Sequence, residues 1–115
     1  MLPHQLRRVA KRGTIGISRS GSPGGNSSGD IFLAFSTANE MTIPQLNQKT
    51  LQMEFINDEY FDPIYEQTVH AIDEAVINAM VAAESMTTLK PEVKVVKAID
   101  HDQLVEILRK YNRVE

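Results

Sequence analysis

Residues 31–38 alternate in a way that suits an extended chain. Ile31, Leu33, Phe35 and Thr37 fall on one side, and Phe32, Ala34, Ser36 and Ala38 on the other. Period two with apolar residues on both sides predicts a strand covered on both faces, at the centre of the core. Ahead of it, Leu2, Leu6, Val9 and Ala10 recur at helical spacing. They predict a helix over 3–12 that Gly13 stops, with Lys11 and Arg12 in its last turn, where cations suit the helix dipole. Ile15 and Ile17 alternate with Thr14, Gly16 and Ser18 and predict a short strand from Thr14 to about Arg19. The polar, glycine-rich stretch from Ser20 to Gly29 reads as a loop. Beyond a connection from Asn39 to Lys49, Leu51, Met53 and Phe55 alternate with Gln52, Glu54 and Ile56 as another strand with a wetter outer side.

The second half is more helical. Asp62 followed by Pro63 is a helix start, because Asp caps free amides and Pro suits the first helical turn. Tyr65, Val69, Ile72, Val76, Ala79, Ala83 and Met86 mark one apolar face of the long helix that follows, and Ala71, Ala75 and Ala82 widen it. Pro91 breaks the chain, Val93 and the residues from Val95 to Ile99 predict a last strand, and Asp100 with Gln103 forms a capping-box pattern. The terminal helix is expected to bury Leu104, Ile107, Leu108 and Tyr111. Helix, strand, strand, strand, helix, strand, helix is an α/β order that fits sheets covered by helices. We read residues 1–115 as a single domain or domain fragment, without an internal boundary or repeat.

Composition narrows the function classes. Of the 115 residues, 42% are hydrophobic and 23% charged, with a net charge of −3, which excludes a wholly disordered chain. No run of about 18 apolar residues suits a membrane span, and no apolar signal core opens the chain. A soluble, cytoplasmic protein is expected. The absence of cysteine removes disulfides, thiolate nucleophiles and cysteine zinc sites. Covalent chemistry would therefore use Ser, Thr or Lys.

The charge is uneven. Arg7, Arg8, Lys11, Arg12 and Arg19 stand in residues 1–29 without an acid, for +5, while the rest has 7 basic and 15 acidic residues, for −8. A basic first segment can bind phosphate, although this one lacks interleaved aromatics, so nucleic acid ranks last among the partners considered. The loop Gly21 to Gly29 has no Gly-Lys-Ser/Thr ending and no helix behind it, so it is not a P-loop. His4, His70 and His101 lie far apart and in no metal-binding spacing, and neither a metal nor a cofactor is expected. His70 shares a helix face with Glu66, Asp73 and Glu74, which could tune a proton donor but is more ordinarily a solvated face.

Ser28 and Asp30 stand where the loop meets strand 31–38. Asn, Ser, Gly and Asp are what turns ordinarily use. A junction on a rigid element also holds side chains accurately, and a serine two residues from a carboxylate can orient a proton for a nearby nucleophile. Alternation places both on the same side.

The stretch "LPHQLRRVAKRGTIGISRSGSPGGNSSGDIFLAFSTANE", and within it "GNSSGDIFLAFSTAN", resembles the C-terminal part of the self-processing DmpA family of aminopeptidases. That family includes L-aminopeptidase/D-amidase-esterases and β-peptidyl aminopeptidases. The resemblance continues more weakly through "AIDEAVINAMVAAESMT", and the last 25 or so residues match only in element order. It implies a four-layer αββα sandwich with mixed sheets, in which the precursor cuts itself in two. The new N-terminal serine becomes the nucleophile, its own amino group serves as base, and N-terminal residues are released from peptides, amides or esters. Ser28 matches the family's second serine, which hydrogen-bonds to the nucleophile, and Asp30 the acidic residue supporting it. Gly29 would keep the backbone close to that site.

The same resemblance puts the nucleophilic serine on a strand ending shortly before Leu2, ahead of Met1, and the substrate-binding chain further upstream. Ser18, Ser20 and Ser27 are not N-terminal and cannot take over its role. The 115 residues are therefore expected to be inactive alone, to need the upstream α-chain or nucleophile-bearing segment as partner, and to self-associate as a homo-oligomer through the strand edge left open. A non-catalytic oligomerising domain is the alternative reading.

Overall fold

A computed structural model describes residues 1–40, 49–89 and 93–115. They group into two compact units, Met1–Asp73 and Glu74–Glu115. The first helix, α1, runs from Pro3 to Arg19, with Pro3 in its first turn. The helix predicted to stop at Gly13 and the strand predicted from Thr14 are thus one continuous helix. Its interior glycines have a packing reason. A Cβ on Gly16 would lie 2.7 Å from Ile72 Cβ and 2.8 Å from the Val69 carbonyl oxygen, and one on Gly13 would meet the Phe32 ring. Close approach to the neighbouring segments outweighs glycine's helix penalty of about 1 kcal/mol per residue. Thr14 and Ser18 support the turn by donating their hydroxyls to the Lys11 and Thr14 carbonyls, at 2.8 and 2.7 Å. Ile15 and Ile17, two residues apart, differ accordingly: Ile15 is 50% exposed and Ile17 half-buried.

Residues 31–38 and 51–56 are assigned no strand. A strand needs a partner, and among the described residues none offers these segments a ladder. The alternation survives in the burial. Phe32 and Ala34 are half-buried, whereas Ile31, Leu33 and Phe35 are 91, 86 and 77% exposed. The segment is therefore covered on one face and bare on the other, and the enclosed centre lies elsewhere, at Phe61 and Gln5. Asn39 makes one strand-like link: its amide accepts from the Glu54 N–H and donates to the Glu54 carbonyl, both at 2.9 Å. Most of the predicted connection after it lies outside the described residues.

A 3₁₀ turn, Asp58–Tyr60, leads into α2, Asp62–Ala82. The Phe61 carbonyl accepts the first helical bond, from Tyr65 N at 2.9 Å, so Asp62 stands inside the first turn rather than at the cap. Phe61 stacks obliquely on Tyr65, centroid to centroid 5.4 Å, and the Arg12 guanidinium lies 4.1 Å above the Tyr65 ring. Tyr65, Val69, Ile72 and Val76 form the packed face as expected, but Ala79 and Ala83 are exposed.

In the second unit β1, Met86–Thr87, pairs antiparallel with β2, Val95–Val96, with Met86 opposite Val96. Met86 thus belongs to a strand and not to the long helix, and the predicted last strand is shorter than Val93 to Ile99. Pro91 lies outside the described residues. The last helix, α3, spans His101–Lys110, and Asp100 caps it by accepting from Asp102 N and Gln103 N at 3.0 Å each. Leu104 and Leu108 are half-buried, whereas Ile107 and Tyr111 are exposed, because the described residues cover only part of this helix. Asn112 takes φ 52° and ends it, with Arg113 N bonding back to the Leu108 carbonyl.

Candidate active site

The segment from Ser20 to Asp30 is a loop, as its composition predicts. Gly21 and Gly24 have φ of 99° and 63°, conformations that side chains with a Cβ rarely adopt. Gly25 to Ser28 closes a turn, with Ser28 N donating to the Gly25 carbonyl at 2.8 Å. At its exit the Ser28 hydroxyl donates to the Asp30 carboxylate. The two site residues expected from the sequence are thus brought into direct contact, and both are exposed. The hydroxyl retains acceptor capacity on its oxygen for a second group. Two residues beyond Asp30, the Phe32 ring rests against Gly13 of α1. Gly29 needs no space of its own, since a Cβ there meets no atom within 4 Å.

Where the loop leaves α1, one carboxylate receives two neighbours. Asp73 Oδ2 lies 3.1 Å from Arg19 Nε, and Asp73 Oδ1 accepts from the Ser20 hydroxyl at 2.8 Å. From the sequence this acid reads as part of an ordinarily solvated face shared with His70. His70 itself is exposed, and His101 donates from Nε2 to the Val81 carbonyl at 3.0 Å. No cluster of three or more metal-ligating side chains occurs among the described residues.

Gln5 was not singled out by the sequence, yet it is fully buried. Its amide oxygen accepts from Leu2 N at 2.9 Å, while Nε2 donates to the Ile56 carbonyl and to Asp58 Oδ1, both at 2.7 Å. Polar type at a buried helical position would have been the only signal. The Gln5 hydrogen bond, with help from Arg8 at 2.9 Å and the positive field of His4, holds the Asp58 carboxyl below its ordinary pKa against an opposing desolvation.

The basic segment is largely occupied. Arg8 pairs with Asp58, Arg12 covers Tyr65 and Arg19 pairs with Asp73. Three of its five cations thus serve the fold, which weakens a phosphate-binding use. No described helix is long and apolar enough to cross a membrane.

Known proteins match this chain throughout. Peptidase family S58 matches residues 1–94. The beta-peptidyl aminopeptidase BapA of Sphingosinicella microcystinivorans is 39% identical over 114 residues, 99% of this chain but 28% of the relative. Among solved structures, the L-aminopeptidase D-Ala-esterase/amidase of Ochrobactrum anthropi superposes with a TM-score of 0.86 at 48% identity, covering all of this chain and 32% of that one. That enzyme is described as a prototype for the serine aminopeptidases and a variant of the Ntn hydrolase fold. A beta-aminopeptidase from Burkholderia sp. follows with a TM-score of 0.80 at 30% identity, covering 96% and 31%. The chain thus spans just over a quarter of the curated relative and about a third of the solved structures. The match over residues 1–94, the identity to the curated relative and the superposition on the solved structures agree: the chain belongs to peptidase family S58.

Proposed function

We propose that this chain supplies the Ser28–Asp30 part of a serine aminopeptidase or amidase site, with the nucleophile coming from a serine upstream of Leu2. The observation that carries the reading is the Ser28 hydroxyl held on the Asp30 carboxylate at the exposed end of the loop, where it meets residues 31–38. The Met1 nitrogen lies 3.4 Å from Ser36 Oγ, so residues joined ahead of Met1 start beside Ser36. A strand of about eight residues laid along residues 28–36, at ~3.3 Å each, returns its first residue to the level of Ser28. The bare face of Ile31, Leu33 and Phe35 is what a covering layer from the rest of an αββα sandwich would bury.

In this reading the upstream serine attacks the scissile carbonyl and passes its proton to its own α-amino group. The C–N bond of a peptide or amide, or the C–O bond of an ester, breaks. The leaving group departs with the proton, and water hydrolyses the acyl-serine. Ser28 accepts a hydrogen bond from the α-amino N–H of the nucleophilic residue and donates its own hydroxyl hydrogen to Asp30, which holds that amino group as base beside the nucleophile. Gly29 leaves the backbone open to the approaching strand. Because the nucleophile is supplied from upstream in this reading, residues 1–115 tested by themselves are expected to release nothing from an aminoacyl-p-nitroanilide.

The test is turnover of such anilides by the protein joined to the upstream segment that its relatives carry. Ser28→Ala is expected to lower kcat on the order of a hundredfold or more. Unchanged turnover removes Ser28 from the site. The bare apolar face favours one second reading, an oligomerising domain without chemistry. In that case the extended protein self-associates, and Ser28→Ala changes nothing.

A further inference from the structure

We infer that Asp73 is a positioning residue for the Ser28–Asp30 pair, an inference that rests on the reading just proposed. The loop carrying the pair holds three glycines and a proline between Ser20 and Ser28. Its internal hydrogen bonds are short and local, Ser28 N to the Gly25 carbonyl and Gly24 N to Ser22 Oγ. Such a loop has little stiffness of its own, so the place of Ser28 is set at the two ends. The far end is fixed by Phe32 against Gly13. At the near end both oxygens of Asp73 are engaged, one by the Arg19 guanidinium and the other by the Ser20 hydroxyl.

Geometry explains why this acid has the role. Gly16 lets α1 approach α2 at Val69 and Ile72. One turn further along α1 come Arg19 and Ser20, and the next residue along α2 is Asp73. The close crossing thus delivers the last residue of α1 and the first of the loop to one carboxylate, whose side chain is only 23% exposed. A lone pair with a half-exposed arginine would contribute little to stability. Two donors from consecutive residues on two oxygens define a direction, and direction is what a catalytic hydroxyl needs.

The experiment uses the protein with its upstream segment. Asp73→Ala is expected to lower kcat about ten- to a hundredfold with KM within about threefold, since a misplacement near 1 Å costs about that much. Asp73→Glu, which keeps both acceptor oxygens, should recover most of it. Limited proteolysis supplies a readout independent of turnover: the Asp73→Ala loop over 20–30 should be cut at least about tenfold faster than the parent's, as an unanchored loop opens more often. Gln5→Ala, which loosens α1 at its other end, controls for general destabilisation and should leave the rate of loop cleavage near the parent's. If Ser28→Ala abolishes turnover while Asp73→Ala keeps kcat within twofold, the inference is overturned and the functional reading stands. If the parent turns nothing over, the functional reading falls and the loop decides: faster cleavage in Asp73→Ala sustains the anchor, and unchanged cleavage overturns it.

Discussion

The even and odd residues of the segment 31–35 make opposite surfaces of one short peptide. Phe32 and Ala34 are half-buried, with the Phe32 ring against Gly13 of α1, while Ile31, Leu33 and Phe35 stand largely exposed. Both sets are apolar, so composition does not separate them. What separates them is that this chain has helices for one face and, among the described residues, nothing for the other. A bare row of large apolar side chains on an unpaired segment marks a surface made to be covered.

The largest expected break in this comparison is Phe32→Ala. Losing a half-buried ring against Gly13 should cost about 2–3 kcal/mol in urea unfolding of the 115-residue chain. Phe35→Ser, on the other face, should change that stability by less than about 0.5 kcal/mol. It should instead shift self-association toward monomer in size exclusion at micromolar concentration. Equal costs at the two positions would mean that both faces are already packed.

Gly16→Ala sharpens the packed side. In an open helix the change would gain about 1 kcal/mol. Here the new Cβ meets the branched carbon of Ile72 and a backbone oxygen, neither of which can swing aside. Overpacking of this kind costs about 1–3 kcal/mol, so a net loss near 1 kcal/mol is expected. A gain would show that the two helices are not in this contact.

The smallest effect is electrostatic. The folded-state pKa of Asp58 lies below its unfolded value, chiefly through the Gln5 amide and then Arg8. Its contribution is therefore fully present above about pH 4 and lost as pH falls through the folded value. Asp58→Asn should lower stability near neutrality and leave it little changed at the acid end, so that the acid limb of the stability profile flattens. An unchanged acid limb would remove Asp58 from the link between α1 and the 3₁₀ turn.

Much of the candidate site is legible in the amino-acid sequence. Turn chemistry places the loop, the two-residue spacing allows the Ser28–Asp30 contact, and the stretch around "GNSSGD" carries the resemblance to the family. Asp100 caps α3 as its pattern requires. The region around Gly13 is where local reading fails. Glycine reads as a helix stop and Ile15 with Ile17 as strand alternation, because local signals take no account of a neighbour that needs a missing side chain. Asp73 reads as part of a solvated face for the same reason, as its partners lie more than fifty residues earlier.

Local propensity, spacing and one specific motif were enough for the positions of α2 and α3, the loop, the Ser28–Asp30 pairing and membership of peptidase family S58. Each of these signals acts over a few residues, so a linear chain displays it directly. Long-range contacts were needed to establish that α1 runs through two glycines, that Gln5 is buried, that Asp73 binds Arg19 and Ser20, and which face of 31–35 is packed. These depend on residues distant in the chain meeting in space, and no periodicity along the chain encodes which of two apolar faces will find a partner.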